Sequence, residues 1–181
     1  MTPRSFSDEG IVLARRSFGE ADRILSVFSK HHGRLALIAK GVRKPESRKR
    51  GHLEIFSQIK FQASRGRSLD IITEVETLDP FLPIRKNLKR VALAYYFMEV
   101  VGRTTREGEK NEELYSHILK NLGILKSEIQ LKILKNNFVS ELLAILGFWP
   151  KGRPLENPDA KLSEVIERTL STVRVGRKLV N

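Results

Sequence analysis

The hydrophobic rhythm of the chain changes once, near Asp79 and Pro80. Ahead of that point apolar and polar positions alternate. In Gln58 to Ala63, the residues Ile59, Phe61 and Ala63 share one face and Gln58, Lys60 and Gln62 the other, the period of a strand with one wet side. Comparable stretches run from Gly10 to Arg16, Arg23 to Ser29, Arg34 to Lys40 and Asp70 to Leu78, separated by Gly19, Gly33, Gly41 and the SRGRS segment. An open sheet of these five would leave two unpaired edges, whereas an OB-type or SH3-like barrel removes or shortens them, so a small barrel is predicted.

Behind Pro80 the period becomes helical. Leu88, Val91, Ala92, Tyr95, Met98 and Gly102 give one apolar or small face to a helix predicted over Ile84 to Thr105. Asn111, followed by Glu112 and Glu113, reads as a cap with acids in the first turn, opening a second helix that runs to Lys126. Ser127 and Gln130 have capping-box spacing ahead of a third helix, whose apolar residues, Ile129 and Ile133 among them, occupy nearly every face as far as Leu146. That pattern predicts the centre of a bundle. Asn157 and Pro158 start a last helix with a stripe of Leu162, Val165, Ile166, Leu170 and Val173 and a basic end at Arg174, Arg177 and Lys178. The expected fold class is therefore α+β with two domains: a five-stranded OB-type β-barrel over residues 1–80, then an all-α helical bundle over 81–181.

Charge narrows the function. The 181 residues hold 33 Lys and Arg against 21 Asp and Glu, a formal net charge of +12, and so large a field on a small chain favours a polyanionic partner. Cysteine is absent, which removes disulfides, thiolate zinc sites and cysteine nucleophiles. No signal-like or membrane-spanning apolar run occurs, so the expected location is cytoplasmic, with no membrane partner.

The densest feature is GVRKPESRKRG, residues 41–51, where Arg43, Lys44, Arg48, Lys49 and Arg50 face a single acid, Glu46. Between two strands it reads as a mobile loop, able to follow a phosphate backbone. Arg15, Arg16, Arg34 and Lys40 on the adjoining strands extend it, with Arg174, Arg177 and Lys178 as a second basic group. Phe18, beside two arginines at a turn, is the expected stacking platform for bases, while Phe28, Phe56 and Phe61 read as core. Catalytic constellations fare worse. Glu74 and Glu76 share a strand face that an ordinary wet surface explains, the four histidines are scattered, and no Gly-rich loop ends in Gly-Lys-Ser/Thr. No catalytic residue, metal or cofactor is expected.

Several of these features occur together, in order, in one family. The turn Phe18-Gly19-Glu20, Asp22-Arg23, the Gly-Arg-Leu strand start at Gly33, the Lys-Gly-x-Arg-Lys loop from Lys40 and the Gly-His-Leu-Glu run from Gly51 resemble the N-terminal half of the bacterial RecO family. FVSELLAILGFWP resembles its central helix, so the similarity covers most of residues 7–149. The resemblance implies a non-catalytic mediator of DNA repair and homologous recombination that binds single- and double-stranded DNA and anneals complementary strands. It would act at the nucleoid with RecR, assist RecA indirectly, and contact the C-terminal tail of single-strand-binding protein. Many relatives carry a four-cysteine zinc module after the central helix; this chain has KGRPLENPDAKL there and looks like a shortened form. The competing expectations are a protein-binding adaptor with the barrel as scaffold, and an RNA-binding OB-fold module or nuclease with the same charge signature.

Overall fold

The computed structural model describes residues 4–167. Five strands, β1 (Ser5–Phe18), β2 (Asp22–Ser29), β3 (Gly33–Ala39), β4 (Gln58–Ser64) and β5 (Asp70–Asp79), close into a barrel in the order β1-β2-β3-β5-β4. Neighbours are antiparallel except β3 and β5, which pair in parallel through Leu37 with Asp70 and Ile38 with Ile71. The barrel is OB-type, as expected.

β1 is longer than its periodicity suggests because it serves two neighbours. Residues Ser5 to Ile11 pair with β4 and Gly10 to Phe18 with β2, and the register shifts by a bulge between Val12 and Ala14. The bulge inserts a residue and interrupts the alternation. The strand also begins ahead of the expected Gly10 and so takes in Asp8, a carboxylate buried at its side chain. It is fully partnered there. Both oxygens accept from the turn between β2 and β3: His31 Nδ1 at 2.8 Å, His32 Nδ1 at 2.7 Å and the His31 N–H at 3.1 Å.

The barrel interior is filled by Val12, Leu25, Val27, Leu37, Ile59, Phe61 and Ile72, joined by Val42 and Leu53 from the connection between β3 and β4. Phe28 and Phe56 are also fully buried, as expected, although Phe56 lies outside any strand.

The helix expected from Ile84 to Thr105 is two elements, α1 (Leu82–Arg85) and α2 (Leu88–Thr104). Asn87 separates them with extended backbone, and its side chain accepts from the Arg90 N–H at 3.2 Å, capping α2. In α3 (Glu112–Leu125) the predicted cap is present, Asn111 accepting from the Leu114 N–H at 2.8 Å. α2 packs on β1. The chain divides into two compact units after Ser127.

The second unit holds α4 (Leu131–Ile145) and helical residues 158–167. No capping box forms at Ser127 and Gln130: Gln130 is the cap residue but makes no side-chain cap bond. The Glu128 carboxylate instead accepts from the N–H groups of Ile129 and Gln130, each at 2.7 Å. α4 is not apolar on every buried face either. Ile129 before it is 87% exposed and Ile133 54%, and burial follows the narrower stripe Leu134, Phe138, Val139, Leu142 and Leu143. Asn157 caps the closing helix as expected, accepting from the Ala160 N–H at 3.1 Å, and Leu162 and Val165 are buried. Leu170 and Val173 lie outside the described residues. No described helix is long and apolar enough to cross a membrane.

Candidate nucleic-acid interface

The basic segment after β3 is folded, not a free arm. Gly41 donates its N–H to Asp22 Oδ1 at 2.8 Å, and the Arg43 N–H donates to the Ala21 carbonyl at 2.9 Å, tying the segment to the turn between β1 and β2. Successive turns follow, closing with a short 3-10 helix at Arg50–His52, and Val42 and Leu53 anchor both ends in the barrel core. Across the barrel, His52 Nδ1 meets Thr77 Oγ1 at 2.8 Å, and Lys49 donates its ammonium to the Ile72 carbonyl at 2.9 Å. The segment expected as a mobile loop thus has turns of its own and two side chains in the core. Composition alone does not show that two apolar residues in the segment are core residues.

This cap sits at one mouth of the barrel, and the register brings further arginines to it. Arg15 pairs with Leu25 across β1 and β2, and Arg23 with Ala39 across β2 and β3; Leu25 and Ala39 point into the core. Side chains alternate along a strand, so Arg15 and Arg23 continue the inward row past the last apolar layer. Burial lowers the pKa of Arg23, and the positive charges of Arg15, Arg43 and Arg50 lower it further; Glu54 acts in the opposite direction. Arg23 therefore feels the charges of Arg15, Arg43 and Arg50, and Arg15 and Glu54 act on Arg85 as well. Glu54 forms an ion pair with Arg15, whose Nη1 also approaches the Leu53 carbonyl at 3.5 Å. Among the described residues, Arg43, Lys44, Arg48, Lys49 and Arg50 make no ion pair. No carboxylate of the described residues neutralises them; Lys49 and Arg43 donate to backbone carbonyls instead.

The other expected contacts separate by parity. Arg16 pairs with Ile24 and Arg34 with Phe28, on the outer side of the sheet, away from the row that carries Arg15 and Arg23. Arg34 lines an open groove of about 560 Å³ with Ala14, Ser26, Tyr95 and Tyr96; it lies 3.9 Å from Glu107, and its buried Nε has no hydrogen-bond partner. Phe18, at the end of β1, is 49% exposed, as a stacking residue must be. Lys40 is exposed beside the cap. Glu74 and Glu76 face solvent opposite Gln62 and Lys60, and no metal-binding group of three or more His, Asp or Glu residues occurs among the described residues.

Residues 1–81 match the family described as recombination protein O N terminal, and residues 85–152 match recombination protein O C terminal. The chain belongs to the RecO family. It is similar to the DNA repair protein RecO of Pelotomaculum thermopropionicum, 38% identical over 145 residues, which is 80% of this chain and 56% of that protein. It is also similar to the DNA repair protein RecO of Moorella thermoacetica, 34% identical over 149 residues, 82% of this chain and 55% of that one. For that of Dehalococcoides mccartyi the figures are 32% over 160 residues, 88% and 63%. The chain thus spans little more than half the length of the curated RecO proteins it matches.

Within the RecO frame, the 181 residues contain no cysteine, so a four-cysteine zinc module has no ligands in them. Arg174, Arg177 and Lys178 lie outside the described residues. Two members of the mouth are missing from the sequence reading of the site, Arg23 and Glu54. A signal for Arg23 exists: it has the parity of Leu25 and Val27 in a strand whose other end is core, so it must stand on the inward row. Glu54 carries no such mark, since it follows β3 through an irregular segment.

Proposed function

We propose that residues 1–80 form a non-catalytic DNA-binding barrel and residues 81–181 a helical domain, together acting as a mediator of DNA repair and homologous recombination. The observation that carries this is the barrel mouth, to which the strand register brings Arg15 and Arg23 and the folded segment after β3 brings Arg43 and Arg50, with Glu54 paired to Arg15. Such a mouth grips phosphate without reading sequence and leaves bases free to pair, the requirement for annealing complementary strands. Phe18 would stack on a base of a single strand and Lys40, Lys44, Arg48 and Lys49 would flank the backbone at the mouth, while Arg16 and Arg34, on the outer face, would be at most secondary contacts. The relatives named DNA repair proteins support the biological setting. In this reading the protein works in the cytoplasm at the nucleoid on single- and double-stranded DNA. RecR is a partner, RecA loading the consequence, and the tail of single-strand-binding protein a further contact.

The test is annealing of complementary oligonucleotides by wild type and by a variant with Arg43, Lys44, Arg48, Lys49 and Arg50 changed to alanine. Wild type should accelerate annealing, and single-strand affinity should fall with salt at a log-log slope of about −3.5 if about five phosphates are neutralised. The variant should lose most of both. Salt-insensitive binding would overturn the reading.

One observation favours the adaptor reading for the second unit: Ile129, Ile133 and Phe148 stand 87, 54 and 42% exposed. Capture of RecR or single-strand-binding protein after nuclease digestion, lost on changing Ile129 and Ile133 to serine, would support it.

A further inference from the structure

The mouth contains one feature that a site built only to attract phosphate does not need. Glu54 sits among the arginines and is paired to Arg15, with side chains 41 and 25% exposed respectively, so the pair is open to solvent on one side. No other carboxylate makes an ion pair with a mouth arginine among the described residues. Asp22, the nearest acid in the chain to Arg23, receives the Gly41 N–H instead. Arg43 is steadied by neutral atoms, its Nη1 donating to the Gly19 carbonyl at 3.3 Å.

A carboxylate and a phosphate present the same two-oxygen edge to a guanidinium. We propose, building on the reading of the mouth as a phosphate site, that Glu54 is a resident competitor: its carboxylate holds the place beside Arg15 that a backbone phosphate of the bound strand takes, and turns out to solvent when the strand arrives. The empty mouth then keeps its arginines in position, because Glu54 offsets their mutual repulsion. Binding exchanges one anion for another, which weakens the grip on each phosphate. A protein that must hold two strands and release a duplex has use for that.

The experiment measures binding of a fluorescent oligo-dT single strand by anisotropy over a range of salt, using wild type, Glu54→Gln, Glu54→Asp, Arg15→Gln and the Arg15→Gln/Glu54→Gln double variant. Glutamine is isosteric with glutamate, and the position is half exposed, so the fold is kept. Loss of the competing charge should tighten binding about fivefold, the worth of one unit charge at about 4 Å in water, and steepen the log-log salt slope by about 0.7. Glu54→Asp keeps the charge and should show no gain. With Arg15→Gln in the background the gain from Glu54→Gln should shrink, since nothing remains for the carboxylate to block. Weaker or unchanged binding by Glu54→Gln would overturn the proposal and make Glu54 a positioning residue for Arg15. Failure of wild type to bind at all would overturn the phosphate site itself.

Discussion

The guanidinium of Arg85 lies 4.0 Å from the centre of the Phe56 ring, and it holds that residue in a backbone conformation phenylalanine rarely takes. Phe56 has a φ of 57°, in the left-handed region, yet is fully buried. Arg85 reaches it from the end of α1. Its Nη2 donates to the Ile55 carbonyl at 2.9 Å and to Ser57 Oγ at 3.0 Å, bracketing Phe56 on both sides, while Nε donates to the Pro80 carbonyl at 2.8 Å. Strain of this kind persists only where the surroundings over-determine it. Arg85→Met keeps the bulk but orphans those acceptors and the ring contact. It should cost about 3 kcal/mol in urea unfolding, summed from cation–π and buried hydrogen-bond losses.

Asp8 makes stability depend on acid in a defined direction. Burial pushes its carboxyl up, but hydrogen bonds from the His32 and His31 rings and from the His31 and Glu9 N–H groups outweigh it and hold the pKa below 3.8. An acid whose folded pKa lies below its unfolded one stabilises fully above the unfolded value and loses that contribution as pH falls through the folded one. Wild type should therefore lose stability below about pH 4 more steeply than Asp8→Asn. The variant should be weaker by about 1 to 3 kcal/mol near neutrality, where it leaves a histidine donor facing an amide. Denaturant midpoints at stepped pH check both.

Two glycines separate backbone freedom from crowding. Gly19 and Gly33 both have left-handed backbone, φ 58° and 69°, but a Cβ at Gly19 meets nothing within 4 Å, while one at Gly33 would stand 2.1 Å from the Glu109 carbonyl oxygen. Gly19→Ala should cost only the conformational penalty of about 1 kcal/mol. Gly33→Ala should cost clearly more, because the segment after α2 must move away from the turn between β2 and β3. Thermal unfolding of the two variants gives the difference.

Arg23 and Arg16 test the mouth against the outer face. Arg23→Gln removes a guanidinium from the inward row and should reduce the salt slope of single-strand binding by about 0.7. Arg16→Gln acts on the other side of the sheet and should change it little. Equal effects would mean that the strand crosses both faces.

The strands and caps were legible because their signals are local: Asn111 and Asn157 cap the helices their spacing indicates, and Gln58 to Ala63 alternates as a strand does. What stayed hidden depends on distant residues. Asp8 precedes the first strand the pattern marks and is buried only by histidines brought over it, and Phe56 reads as core without any sign of the backbone that Arg85, 29 positions further along, brackets. The site divides likewise. Residues 43–50 announce themselves by charge density, but nothing in their order says that Val42 and Leu53 nail the segment to the core. Nor does charge density say that strand parity sends Arg15 inward and Arg16 out.

The barrel is a rolled ribbon stitched along four of its edges and merely tacked along the fifth, where Leu37 with Asp70 and Ile38 with Ile71 are the only partners. A tack of two residues is the first to give, so the cheapest breathing motion of this unit is an unrolling at that edge. Amide exchange near Ile38 and Ile71 should outpace that between β1 and β2. The Lys49 ammonium on Ile72 lies next to the same edge, so whatever draws that lysine away slackens the roll.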